Sequence, residues 1–111
     1  MKTAGLFMEL VATYHKHGWK LRSALLQPAT LAELKATEAA SLEDVAIRES
    51  PVDALWFSRP SHQNREAWEL RLLAQTPYAL FETFEADEIE EEREDVRTEM
   101  EARMREYASK S

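Results

Sequence analysis

Three histidines are the first residues of this chain whose side chains could do chemistry. His15 and His17 form an H-x-H pair, which on a β-strand would place both imidazoles on one side, as in some metal sites. On a helix, two residues correspond to a rotation of about 200°, so the pair cannot chelate one ion. His62 is the only other histidine and there is no cysteine, whereas zinc normally takes three or four protein ligands. The sequence therefore predicts no metal site.

A polar cluster at residues 58–66 is the second candidate site. It contains Arg59, Ser61, His62 and Arg65 between two predicted strands. Two arginines that face each other across a strand pair repel unless an anion lies between them, so this segment could bind a phosphate or carboxylate, with His62 as the titrating group. The alternative is a polar turn whose arginines are neutralised by nearby acidic residues, which requires no ligand.

Carboxylates that could act in acid–base catalysis are abundant only near the C-terminus. Glu90, Glu91 and Glu92 are adjacent, point in different directions and are expected to be solvated, whereas a general acid needs a partly dry site that raises its pKa. The chain has two glycines, Gly5 and Gly18, and therefore no glycine-rich loop for a nucleotide phosphate. These patterns predict no catalytic residue and no cofactor, and they favour a non-enzymatic function.

The third candidate is an interaction surface at the C-terminus. Residues 85–111 carry 11 acidic and 5 basic side chains, a net charge of −6, while residues 1–84 carry 10 and 9, a net charge of −1. The segment has no glycine or proline, which predicts a long acidic helix from about residue 86 to 107. Its apolar residues form a stripe narrower than a core-facing helix usually shows, consisting of Ile89, Val96, Met100, Met104 and Tyr107. This helix could pack on its own domain, pair with its copy in a homodimer, or present an acidic face to a basic protein partner.

Charge and composition exclude several classes of partner. The formal net charge is −7 and the basic residues of the body are scattered, so neither nucleic acid nor an anionic membrane surface is an expected partner. No run of 18 apolar residues is present, and Glu9 interrupts the first apolar stretch where a signal peptide would need continuity. Together with the absence of cysteine, these features predict a cytoplasmic protein.

The N-terminal part of the chain predicts a helix, a strand and a second helix. Apolar residues at helical spacing span Ala4 to about His17, and Gly18 would end this helix. Alternation over residues 19–26 predicts a strand buried on one face. Thr30 and Glu33 have the spacing of a capping box, which predicts a second helix over about residues 31–38.

The middle of the chain predicts a β-hairpin. Residues 41–49 are compatible with a helix or a strand, and we favour a strand over Val45–Glu49 because of its β-branched residues. In the hairpin, pairing Trp56 with Trp68 leaves residues 60–64 as a five-residue loop. One face of this hairpin is then apolar and is expected to be the core face, with its residues being Val52, Ala54, Trp56, Trp68, Leu70 and Leu72. The opposite face, with Asp53 across from Arg71, is expected to be solvated.

A further strand over residues 78–84 completes the predicted sheet. We therefore expect a single α+β domain, residues 1–111, with an antiparallel sheet of about four or five strands and with the N-terminal and C-terminal helices packed on one face. The element order is similar to that of small acidic secretion chaperones of the α+β type, an analogy of fold that no motif carries. The function predicted first is a protein–protein interaction module, either dimeric or an acidic adaptor or chaperone-like protein. The alternative is a small anion-binding protein or enzyme that uses the 58–66 hairpin tip.

Overall fold

A computed structural model describes residues 2–110 as an α+β fold, which confirms the predicted class. The elements in chain order are α1 (Lys2–Lys16), β1 (Lys20–Leu26), α2 (Pro28–Ala36), β2 (Ala46–Glu49), β3 (Ala54–Pro60), a 3-10 turn (His62–Asn64), β4 (Glu66–Leu72), β5 (Ala79–Phe84) and α3 (Glu90–Ser109). The ambiguous segment at residues 41–49 contains the strand β2, as favoured from its β-branched residues.

The five strands form one mixed sheet in the order β2-β1-β3-β4-β5. β2 runs parallel to β1, and the other neighbouring strands are antiparallel. The prediction of a purely antiparallel sheet was therefore wrong. The physical reason is the helix α2, which carries the chain back across the sheet so that β2 starts at the same end as β1.

The N-terminal and C-terminal helices cover opposite faces of the sheet, which corrects the prediction that both lie on one face. Successive residues of β3 show this directly. Leu55 and Phe57 are buried in the core beneath α1, whereas Ala54 and Trp56 are buried in the core beneath α3. Strand side chains alternate between faces, so a strand that is apolar at every position needs a layer on each side. The hairpin face expected to be solvated is for this reason a second core face.

The hairpin of β3 and β4 is shifted by two residues from the predicted register. Trp56 pairs with Leu70, and Ser58 pairs with Trp68. A two-residue shift leaves every side chain on the same face, so the two tryptophans still share the core beneath α3. Their rings meet diagonally, edge to face, with centroids 5.8 Å apart. The five-residue loop accordingly covers residues 61–65, one residue later than predicted.

The helix ends follow local chemistry. α1 ends as predicted at Gly18, which has a positive φ of 86° and donates its amide proton to the carbonyl of His15. α2 begins earlier than predicted, because Pro28 at its first turn already has the φ that a helix requires. Thr30 is therefore inside the helix rather than at its cap, and its hydroxyl donates a hydrogen bond to Asp53.

Candidate functional site

A β-bulge in β1 sets up the most distinctive polar site of the molecule. Leu21 pairs with Phe57 of β3 and Ser23 pairs with Trp56, so Arg22 is an extra residue without a partner on β3. The bulge changes the alternation of β1, because Leu21 lies on the α1 side before it and Ala24 on the α1 side after it. Arg22 and Ser23 consequently both border a cleft on the α3 side. Bulges that redirect side chains in this way occur frequently beside functional sites.

This cleft, of about 500 Å³, lies between α3 and the sheet. Its floor comes from four strands and its wall from one side of α3. The residues that border it are Arg22, Ser23, Arg48, Trp56, Trp68, Glu94, Arg97, Thr98 and Glu101. The four from α3 follow the i, i+3, i+4, i+7 spacing of a single helix face, at which a core-facing helix would normally carry apolar residues. The cleft is therefore a polar region within an interface between a helix and a sheet. We refer to it below as the arginine cleft.

Arg97 is the most enclosed cation of the arginine cleft. Its side chain is 13% exposed, and its guanidinium carbon lies 4.6 Å from the centre of the Trp68 ring. Its Nη2 donates a hydrogen bond to Glu90, one of the first residues of α3. Its Nη1 is buried and has no hydrogen-bond partner among residues 2–110. A buried donor without a partner costs about 1–3 kcal/mol, so a small movement of the Arg97 side chain that brings Nη1 to a ligand oxygen would recover free energy.

Arg22 adds a second cation to the same ring. Its guanidinium carbon lies 5.3 Å from the centre of the Trp68 ring, and its Nη1 donates a 3.2 Å hydrogen bond to the hydroxyl of Ser58. No carboxylate of residues 2–110 forms an ion pair with it. Arg22 and Arg97 therefore provide positive charge that the described part of the chain compensates only in part.

Glu101 fixes the opposite side of the cleft. This residue is 6% exposed, and its Oε2 accepts a 2.7 Å hydrogen bond from Trp56 Nε1 and another from Arg48 Nη2. These two hydrogen bonds join α3 to β2, through Arg48, and to β3, through Trp56. Because Arg48 is itself more than half exposed, its remaining donors stay available at the edge of the cleft.

Guanidinium groups in this arrangement suit the recognition of a small oxyanion. Arginine presents planar pairs of donors that match a carboxylate or phosphate, and the partly enclosed surroundings strengthen such contacts relative to water. By contrast, the arrangement lacks a nucleophile held by a base, which covalent catalysis requires. Within residues 2–110, no group of three or more histidine, aspartate or glutamate side chains is placed to hold a metal ion.

The hairpin tip does not bring its two arginines together. Arg59 pairs with Ala67 rather than with Arg65, lies 4.6 Å above the ring of Trp19, and donates to the carbonyl of His17. Arg65 instead forms an ion pair with Glu85 at 2.9 Å.

The other two residues of the predicted tip site, Ser61 and His62, are exposed in the turn. The backbone amide of Ser61 donates to the carbonyl of Arg65, and the carbonyl of His62 accepts from the amide of Arg65, so the backbone of all three residues shapes the turn. Ligand binding at this tip stays a prediction, without the opposed guanidinium groups on which it was based.

The apolar stripe of α3 lies mainly against the chain's own sheet. Met100 and Met104 are buried in the core, and Val96 packs against it. Tyr107 stacks on Tyr78 with ring centroids 3.6 Å apart. Of the five residues predicted to contact a partner, Ile89 is the one left largely exposed, at 58%. The protein–protein interaction inferred from this stripe stays a prediction.

Sequence reasoning missed the arginine cleft because its parts come from distant segments. Arg22, Arg48 and Arg97 are separated by some 25 to 50 positions and share no motif. One signal is present in α3, whose apolar stripe is narrower than that of a helix that packs on a core along its whole length. A second stripe, which is polar, lies beside it at helical spacing and marks the part of the helix that borders the cleft. It consists of Glu94, Arg97, Thr98 and Glu101.

None of the helices within residues 2–110 combines the length and apolar character needed to cross a membrane. The chain was also compared with models of protein families, with curated proteins and with solved structures, and none of the three comparisons gave a match.

Proposed function

We propose that this protein is a non-enzymatic binding protein for a small oxyanion, a carboxylate or a phosphate, which it binds in the arginine cleft. The observation that carries the proposal is that Arg97, a largely enclosed cation whose Nη1 has no hydrogen-bond partner in residues 2–110, borders the cleft. Arg22, directed to the same cleft by the β-bulge, supplies the second donor group.

The net negative charge of the whole chain constrains how the cleft can bind an anion. A protein with a net charge of −7 repels anions at long range, and the cleft itself contains Glu94 and Glu101 beside its three arginines. Affinity for an anion must therefore come from short, charge-assisted hydrogen bonds rather than from the overall field. This favours a small ligand that enters the cleft over a large anionic surface.

Calorimetric and NMR titrations with inorganic phosphate and with butanoate, at low ionic strength, test the proposal. We expect the amide resonances of residues 22–23 and 97–98 to move first. Arg22→Gln and Arg97→Gln should each weaken binding by about tenfold or more, because each removes a charged donor. Arg103→Gln is the matched control, since Arg103 is exposed on the same helix and lies outside the cleft.

Two results would contradict the proposal. One is unchanged affinity in both Arg22→Gln and Arg97→Gln. The other is a set of resonance shifts centred on residues 58–66 with binding lost in Arg59→Gln and Arg65→Gln, which would assign the anion to the hairpin tip instead.

A further inference from the structure

The arginine cleft also presents acceptors that the chain leaves free. Both hydrogen bonds to the buried carboxylate of Glu101 go to one oxygen, Oε2. Glu94, about two turns earlier on the same face of α3, forms no ion pair within residues 2–110. Free acceptor oxygens thus border the same cleft as the free donors of Arg22 and Arg97.

A ligand that carries only negative charge would be repelled by the acidic side chains of the cleft. Arg97 and Glu101 are four residues apart on α3, so their Cβ atoms are about 5–6 Å apart. An anion bound at Arg97 is therefore close to the negative charge of Glu101, and the two repel in a partly desolvated space. A ligand that carries a positive group on its other side would turn this repulsion into attraction.

We propose that the ligand is a small zwitterion that has a carboxylate and an ammonium group separated by a short chain. Its carboxylate binds Arg22 and Arg97, and its ammonium donates to Glu101, while the negative charge of Glu94 in the same cleft adds to the attraction. This inference rests on the proposed function, because it assigns the anionic end of the ligand to the same two arginines. It adds a second recognition element that an anion-binding site does not require.

Three probes with the same four-carbon chain separate the two ideas. They are 4-aminobutanoate, which has both charges, butanoate, which has only the carboxylate, and butylammonium, which has only the amine. We expect 4-aminobutanoate to bind about tenfold more tightly than butanoate, because a charge-assisted hydrogen bond is worth at least that ratio. Butylammonium should bind more weakly than 4-aminobutanoate, since it cannot use the arginines.

Variants of Glu94 and Glu101 test whether these residues cause the preference for 4-aminobutanoate over butanoate. Glu94→Gln and Glu101→Gln should each lower the affinity ratio of 4-aminobutanoate to butanoate towards one. The Glu101→Gln side chain keeps an amide oxygen that can accept from Trp56, which limits damage to the fold. Glu99→Gln, on an exposed position of α3 outside the cleft, should leave the ratio unchanged.

The outcomes are distinguishable. If butanoate and phosphate bind at the cleft and 4-aminobutanoate binds no more tightly than butanoate, the zwitterion is excluded and the proposed anion-binding function stands. If neither phosphate, butanoate nor 4-aminobutanoate binds, both the proposed function and this inference are overturned. A ratio that is high in the unmodified protein and equally high in Glu94→Gln and Glu101→Gln also overturns the inference.

Discussion

The indole nitrogen of Trp56 donates a 2.7 Å hydrogen bond to Oε2 of Glu101, which links the centre of the sheet to α3. Trp56 is 1% exposed and Glu101 is 6% exposed, so water cannot readily replace either partner. Arg48 donates to the same oxygen and compensates the buried negative charge. One carboxylate therefore both satisfies a core tryptophan and holds an arginine at the edge of the cleft.

Replacing Glu101 by alanine should destabilise the protein. The substitution leaves the buried Trp56 N–H without its acceptor, which costs about 1–3 kcal/mol of unfolding free energy. Arg48 contributes little to this loss, because its exposed side chain regains water. Urea unfolding followed by tryptophan fluorescence measures the difference. Glu101→Gln retains an acceptor and should lose clearly less, so equal losses in the two variants would show that the hydrogen bond to Trp56 is not the cause.

The two glycines should respond in opposite directions to substitution by alanine. Gly18 ends α1 with a φ of +86°, and an alanine there costs about 1 kcal/mol because its Cβ is strained in that conformation. Gly5 lies inside α1, and a Cβ added to it meets no atom within 4 Å. Gly5→Ala should therefore stabilise the protein by about 0.5–1 kcal/mol. Thermal unfolding of both variants checks the pair, and a shift of the same sign in both would contradict it.

Local signals in the sequence predicted most elements of this fold. The helical spacing of apolar residues, ended by Gly18, predicted α1. The lack of glycine and proline near the C-terminus predicted α3. The alternation of apolar and polar residues predicted β1, and the pairing of two apolar segments predicted β3 and β4. These signals act within one turn or one strand, so a single sequence contains them. The arrangement of the elements depends on longer-range packing. The apolar run at residues 54–57, buried on both faces, was the observable sign that the two terminal helices lie on opposite sides.

The candidate site was less accessible to sequence reasoning than the fold. One of its arginines, Arg22, lies in a strand that alternates regularly up to Leu21, and the bulge that redirects it is not marked by glycine or proline. The sequence instead points to Arg59 and Arg65, because the predicted register, two residues away from the observed one, places them opposite each other. A shift of two residues leaves every side chain on its face, so the hydrophobic pattern does not distinguish the predicted register from the observed one.

Deleting Arg22 should leave the fold intact and abolish binding at the arginine cleft. Without this residue, Leu21 still pairs with Phe57 and Ser23 still pairs with Trp56, so every other side chain of β1 keeps its face. The deletion removes both the bulge and one of the two arginines that we propose bind the ligand. We expect cooperative urea unfolding with a slope close to that of the full chain, and loss of the calorimetric signal for butanoate.

A deletion in a regular strand provides the contrast. Leu70 is paired without irregularity to both β3 and β5, so its removal shifts part of β4 by one residue and moves core side chains to the opposite face. This variant should not fold cooperatively. If deletion of Arg22 were as damaging as deletion of Leu70, the bulge would be required for the fold, and its interpretation as a device that directs Arg22 into the cleft would fail.

Tyr14 should make the stability of the protein fall with rising pH in alkaline solution. Burial raises the pKa of its phenol above the ordinary value of 10.0, and the hydrogen bond to and negative charge of Glu69 raise it further, against a smaller opposing effect of Arg71. The folded state therefore keeps the proton that the unfolded state loses. The stabilisation is fully present below pH 10 and is lost progressively as the pH rises above that value.

Tyr14→Phe isolates this contribution, because phenylalanine retains the stacking on Phe57, whose ring centroid lies 4.0 Å away, but has no proton to lose. Unfolding free energies measured from pH 8 upwards should fall less steeply in Tyr14→Phe than in the unmodified protein once the pH exceeds about 10. Glu69→Gln, which removes the charge that opposes ionisation, should give an intermediate slope. Identical slopes in all three proteins would mean that the Tyr14 phenol ionises equally readily in the folded and unfolded chains, and that its contact with Glu69 does not control the alkaline limit of stability.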